Sequence, residues 1–328
     1  MTGPTFFIAG AQKAGTTSLY AMLREHPDVF MCTPKEPGYF IRGFGDPESW
    51  QSLKRPFGGI PKTWLPEFRQ GIFEAEEYAA LFSSEVAQRA RHRGEASTPY
   101  LPSRHAARRI AETCPGARII LVLRDPVERA YSAWGYNSVR GNENTTTFEE
   151  AIEQELSGGR DDWDLSWRYL YSGLYGEHVA RFFEHFERSS ILILRSDALR
   201  HEADRVMEQV CDFLAIPVVE LRGLRDENVT VRHDNPLLAR ARAAFTTPGG
   251  LKSAAKRVVP RPLRAKIKRG TIRALDQFGR RPPALDPRTV ERLAAYYAED
   301  TKHLQEIAGL DVSDWTPLNL SDRMTAGE

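Results

Sequence analysis

Three groups of residues in this chain have types and spacings suited to chemistry. Gly10, Lys13, Gly15, Thr16, Thr17 and Ser18 fall in the run F-F-I-A-G-A-Q-K-A-G-T-T-S-L-Y over 6–20. A lysine between two glycines, followed by three hydroxyl residues, suits an anion. Glycine lets the backbone come close to a phosphate, and the start of a helix turns free N–H groups and a positive dipole end toward it. Arg124 and Ser132 fall in R-D-P-V-E-R-A-Y-S, eight residues apart. A guanidinium presents a planar fork to a phosphate, and a serine hydroxyl adds a donor. Glu36, beside Lys35 in T-P-K-E-P-G-Y-F, is a carboxylate able to accept a proton. Each group also has a bland reading: an ordinary strand–helix turn, an Arg–Asp pair through Asp125, and a solvated surface pair.

The elements that must hold these groups read as α/β. Residues 6–9 are apolar and predict a buried strand, and 17–25 predict a helix stopped at His26-Pro27. A short strand is predicted over 28–32, which places Lys35-Glu36 just beyond a strand end, where open α/β sheets gather ligands. The run A-R-I-I-L-V-L over 117–123 reads as a central parallel strand covered on both faces, with Arg124 at its tip and Pro126 opening the next helix. Further helices are predicted over 74–83, 105–113, 148–156, 171–188 and 203–214, and a strand over 191–194. G-E-A-S-T-P-Y-L over 94–101 reads as a strand end entering a loop, with Glu95 and Ser97 its polar candidates. Residues 136–147, with their Asn and Gly clusters, read as a loop. Asp286 and Pro287 cap a last helix over 288–307. His178 and His185, set among aromatics, read as structural or solvated.

The glycine-bearing loop departs from a Walker A motif, G-x-x-x-x-G-K-[ST]. Thr16 stands where that lysine belongs, and Lys13 lies three residues earlier. The strand over 117–123 ends in Arg124 rather than a Mg²⁺-holding aspartate. A P-loop kinase or nucleotidase is therefore the weaker alternative, and a non-catalytic nucleotide-binding protein is the third. With 328 residues and 41% hydrophobic content, the chain has ample material for a core. Its net charge of +1 gives no reason to expect a nucleic-acid partner. Three scattered cysteines, Cys32, Cys114 and Cys211, show no metal spacing and read as reduced thiols. No run approaches the roughly 20 apolar residues of a membrane span, and no secretory signal is visible, so a cytoplasmic protein is expected.

Taken together, these stretches resemble the sulfotransferase superfamily, in its bacterial and heparan-sulfate-sulfotransferase-like branch. F-I-A-G-A-Q-K-A-G-T-T-S-L resembles the 5′-phosphosulfate loop, and L-V-L-R-D-P-V-E-R-A-Y-S the 3′-phosphate motif. K-E-P-G-Y-F stands where this branch places its glutamate base. G-E-A-S-T-P-Y-L, Y-G-E-H-V-A-R-F-F-E-H-F and F-L-A-I-P extend the likeness over nearly the whole chain. The resemblance implies a P-loop-like three-layer α/β fold with a central parallel β-sheet flanked by helices, one domain over 1–328. It implies 3′-phosphoadenosine 5′-phosphosulfate (PAPS) as co-substrate, 3′,5′-bisphosphoadenosine (PAP) as product, and no metal. Lys13, Ala14, Gly15, Thr16, Thr17 and Ser18 would hold the 5′ end, and Arg124 and Ser132 the 3′-phosphate. Arg280 and Arg281, in a basic segment over 249–281, would cover the adenosine end. Glu36 would be the base, with Glu95 next in line, and Lys13 would stabilise the leaving oxygen. The acceptor would be a hydroxyl or amine of a carbohydrate, lipid or small metabolite. Residues 41–71, a candidate lid, and the aromatics over 163–171 would line its site.

Overall fold

The computed structural model describes residues 3–42, 72, 74–219 and 285–317. Five strands form one sheet: β1 (Phe6–Ile8), β2 (Val29–Met31), β3 (His92–Ala96), β4 (Arg118–Leu123) and β5 (Ile191–Arg195). Their order is β2-β3-β1-β4-β5, and every pairing is parallel. Parallel sheets are covered on both faces, which is why β1 and β4 read as continuous apolar runs. Phe6, Phe7 and Ile8 are fully buried, as are Ile119 to Leu123. Phe6 pairs with Gly94 on one side and Arg118 on the other. A Cβ on Gly94 would stand 2.3 Å from the Phe6 ring and 2.4 Å from Met31 Sδ, so glycine lets those two side chains cross the strand.

After β1 the chain moves to one side of the sheet, returns with β3, and then crosses to β4 and β5. The connection reverses direction around β1 and β4, and a crevice opens outside the carboxyl ends of strands at such a point. Two helices flank that crevice: α1 (Thr16–Glu25) follows β1, and, after α2 (Tyr39–Arg42), α3 (Ala75–Ala80), α4 (Glu85–Arg89) and α5 (Ala106–Thr113), α6 (Pro126–Val139) follows β4. Then come α7 (Phe148–Leu156), α8 (Tyr175–Phe183), α9 (Ser196–His201), α10 (Ala203–Leu214) and α11 (Pro287–Ala308).

The last helix behaves as its sequence predicts. The Asp286 side chain accepts from the Arg288 N–H, Pro287 takes the first position, and Gly309 ends it with a positive φ of 60°. Leu293, Tyr297, Thr301, Leu304 and Ala308 form its buried face, which packs on α8. There the Asp300 carboxylate accepts the Gly176 and Glu177 N–H groups at 2.9 and 3.0 Å.

Two predicted elements are corrected. Residues 136–139 continue α6 rather than open a loop, because Asn137 is buried and its amide donates to the Ser166 carbonyl and the Tyr169 hydroxyl, both at 2.9 Å. The predicted helix over 171–188 is shorter. It begins as a 3₁₀ turn at Tyr171–Gly173, becomes α8 at Tyr175, and has given way to a second 3₁₀ turn by Arg188–Ser190. Its start is held elsewhere: the buried Glu155 carboxylate accepts the N–H groups of Leu170 and Tyr171. His178 is structural as expected; burial first, then the nearby Arg181 charge, hold its pKa well below the usual value. No helix among the described residues is long and apolar enough to cross a membrane.

Candidate active site

The loop leaving β1 stays against β4. Ala9 and Ala11 donate their N–H groups to the Ile120 and Val122 carbonyls at 2.9 and 2.8 Å. A Cβ on Gly10 would lie 2.7 Å from the Val122 nitrogen and 2.8 Å from its oxygen, so only glycine passes there. Three residues later the chain must swing back over the helix start. Lys13 does so at φ 71° and Gly15 at φ 93°. Gly15 is the N-cap of α1 with no side chain to satisfy the first N–H groups, and the first turn carries no acidic residue. A helix start without a cap or a carboxylate is a seat for an anion.

At the end of β4 the arrangement differs. Asp125 caps α6, its Oδ1 accepting from Val127 and Glu128 N–H groups at 2.9 and 3.0 Å. Arg124 turns the other way. It donates to Glu128 at 3.2 and 2.9 Å and, through Nη1, to the Lys13 carbonyl at 3.3 Å. The Arg–Asp pair is therefore an Arg–Glu pair, and Asp125 is a cap.

Glu36 follows β2 at φ 62°, its N–H donated to the Ala96 carbonyl at 2.9 Å. Its carboxylate takes a hydrogen bond from Lys35 at 2.7 Å and from the Thr98 hydroxyl at 3.3 Å. It stays substantially exposed. Glu95, the alternative base, does not line the cavity: it is fully buried, accepting from the Tyr78 and Ser97 hydroxyls.

One cavity of about 950 Å³ gathers Lys13, Gly15, Thr16, Thr17, Ser18, Glu36, Arg124 and Ser132. That volume suits a nucleotide-sized ligand, since small-molecule sites run to roughly 1,000 Å³. Of the residues from Lys13 to Ser18, Ala14 alone stays out of the cavity; it is buried and its N–H goes to the Ala11 carbonyl. Arg280, Arg281 and the segments 43–71 and 249–281 lie outside the described residues. The aromatics over 163–171 do not reach the cavity. Trp167 and Tyr169 are buried in a second core with Trp134, Phe148 and Tyr297.

Sequence reasoning missed two parts of the wall. Tyr136 on α6 and Arg140 at its C-cap line the cavity, and the steps 128, 132, 136 and 140 at every fourth residue would have placed them on one side of a continued helix. The far wall comes from α9 and α10, including Ser196, Leu199, Arg200 and Asp204. Leu199 backs the loop directly: its Cδ2 stands 3.1 Å from where a Gly15 Cβ would be.

The cationic lining marks Lys13. Its ammonium sits 4.5 Å over the Tyr136 ring centre. Burial, then the charges of Arg124 and Arg140, pull its pKa down from the ordinary lysine value to about 8. Crowded cations around an uncapped helix start, with the Glu36 carboxylate at the rim and Glu202 and Asp204 on the far wall, can bind a polyanion and move a proton beside it.

Residues 4–220 match the sulfotransferase family model. The chain is 30% identical over 217 residues to the bifunctional heparan sulfate N-deacetylase/N-sulfotransferase 4 of Mus musculus and, at the same level, to N-deacetylase/N-sulfotransferase 1 of Xenopus tropicalis. Each match covers 65% of this chain and 22% of the relative, so the chain spans under a quarter of these relatives' length. Among solved structures, a sulfotransferase from Alicyclobacillus acidocaldarius superposes with a TM-score of 0.68 at 23% identity, over 96% of this chain and 99% of that one. This likeness is one of fold.

Proposed function

The chain belongs to the sulfotransferase family, and from that premise we propose that its cavity moves a sulfuryl group from PAPS to a hydroxyl or amine of an acceptor. The observation that carries the reading is the convergence of Lys13, Glu36, Arg124 and Ser132 on one cavity at the sheet's switch point. In this reading Lys13 and the start of α1 from Gly15 to Ser18 take the 5′-phosphosulfate. Arg124 and Ser132 take the 3′-phosphate, and Arg280 and Arg281 would serve the adenosine end, as the resemblance implies. The lysine supplied by the loop rather than by position 16 distinguishes this grip from a Mg²⁺-dependent triphosphate site.

The acceptor oxygen or nitrogen bonds to sulfur as the bond from sulfur to the bridging oxygen breaks. The electron pair stays on that oxygen, which leaves as part of PAP. Glu36 receives the acceptor proton. Its position at the rim, oriented by Lys35 and Thr98, keeps it accessible to an incoming acceptor. Lys13 stands against the charge that grows on the bridging oxygen. Such preorganised charge in a partly dry cavity is worth far more than in water.

The acceptor class extends over carbohydrates, lipids and small metabolites, and the names of the relatives make an amine of a heparan-sulfate-like sugar the first to try. The test is transfer from sulfur-35-labelled PAPS across a panel of these acceptors. Glu36→Gln should lower turnover by about 10²–10⁴-fold while PAP affinity stays nearly unchanged. A chain that transfers label to no acceptor, or a Glu36→Gln protein with full turnover, would overturn the assignment.

A further inference from the structure

We propose that Tyr136 is a positioning residue for Lys13, its ring face holding the lysine ammonium at the wall between the two strand tips. The proposal rests on the reading of Lys13 as the residue that meets the departing oxygen. Lysine carries its charge on a flexible four-carbon stem, so a fixed backbone does not by itself fix the ammonium. The backbone here is fixed twice: by the left-handed conformation at φ 71° and by the Arg124 hydrogen bond to the Lys13 carbonyl. For the ammonium, no carboxylate lies within ion-pair distance among the described residues. What it meets is the π face of Tyr136, at 4.5 Å. A ring face attracts a cation within about 6 Å of its centre.

The ring stands on a platform that resists fraying. Tyr136 lies one turn beyond Ser132 and close to the end of α6. The next residue, Asn137, is buried and tied to the Ser166 carbonyl and the Tyr169 hydroxyl. Tyr169 in turn donates to Glu143, which is paired with Arg160 at 2.9 Å with both side chains fully buried. This polar network thus ends at the residue beside Tyr136. Arg140 adds a second cation over the same ring, at 4.2 Å. Its guanidinium therefore lies within about 9 Å of the Lys13 ammonium. The ring draws in a lysine that the neighbouring Arg124 and Arg140 charges would otherwise push away.

The test compares wild type with Tyr136→Phe, which keeps the π face, and Tyr136→Leu, which removes it. Lysines are reductively dimethylated with carbon-13, which retains their charge, and the Lys13 resonance is identified by its absence from Lys13→Arg. Wild type and Tyr136→Phe should show this resonance shifted upfield by the ring, and Tyr136→Leu should not. With the acceptor that the labelled panel identifies, Tyr136→Leu should lower kcat by about 2- to 30-fold with acceptor KM little changed, and Tyr136→Phe should restore it. An unshifted Lys13 resonance in wild type, or a shifted one in Tyr136→Leu, overturns the proposal. So does a Tyr136→Phe protein as slow as Tyr136→Leu, or a Tyr136→Leu protein at wild-type kcat. The spectrum judges Tyr136 even if no acceptor turns over, which would sink the transfer reading separately.

Discussion

At the end of β1 the cavity wall is built from backbone, and at the end of β4 it is built from side chains. The β1 loop has no room for a Cβ at Gly10, takes left-handed geometry at Lys13 and Gly15, and leaves its helix start uncapped. The β4 tip runs straight into a capped helix, and Arg124 is aimed by an exposed carboxylate and a borrowed carbonyl. A backbone grip cannot be trimmed without moving the chain. A side-chain grip can be removed with the fold left standing. The two ends should therefore fail in different ways.

The largest effect should come from Gly10→Ala. The added methyl meets the Val122 backbone, which cannot swing aside. Overpacking of this kind costs about 1–3 kcal/mol, so the melting temperature should fall and PAP binding should vanish from calorimetry. An alanine protein that melts and binds as wild type does would erase the contrast. Next is Arg124→Ala. The lost charge-assisted hydrogen bonds should weaken PAP binding by about 10- to 100-fold. Its exposed pair with Glu128 contributes at most about 1 kcal/mol, so the melting temperature should hardly move. Unchanged PAP affinity would remove Arg124 from the site.

The smallest effect is one of pH and lies on Lys13, which belongs to both ends. Its pKa in the free protein is lowered to about 8 by burial, Arg124 and Arg140, with Glu36, Glu202 and Asp204 the carboxylates on the same cavity. In the proposed reading the charged lysine is the useful form, so kcat/KM should fall as pH rises through about 8. A bound polyanion favours the charged form, so the corresponding fall in kcat should lie at higher pH. Lys13→Arg keeps its charge past this range and should show no such fall. A wild-type kcat/KM that stays flat from pH 7 to about 10 would contradict the assignment.

The backbone end was the more legible in sequence. Gly10 and Gly15 announce their geometry by type, because few other residues tolerate it, while Lys13 and the hydroxyls are legible by their anion-binding chemistry. β4 was equally plain, since burial on both faces requires an unbroken apolar run. Tyr136 and Arg140 were hidden because Asn137 and Gly141 read as loop formers, while a buried amide network keeps Asn137 helical. The aromatics near 167 misled in the opposite sense. They are large, clustered and follow a glycine-rich stretch, but their rings face a second core. The α9–α10 wall carried no local signal, because only β5 lying next to β4 brings it to the cavity.

The hydrogen bond from Arg124 to the Lys13 carbonyl has a consequence for how this cleft can diverge. It stitches the two grips into a single frame at one point, so losing Arg124 would also leave the Lys13 carbonyl without that donor. The α9–α10 side hangs from an edge strand and, among the described residues, shares no such stitch with Arg124. In the proposed reading, new acceptors for the same nucleotide would be accommodated there, with the frame inherited intact.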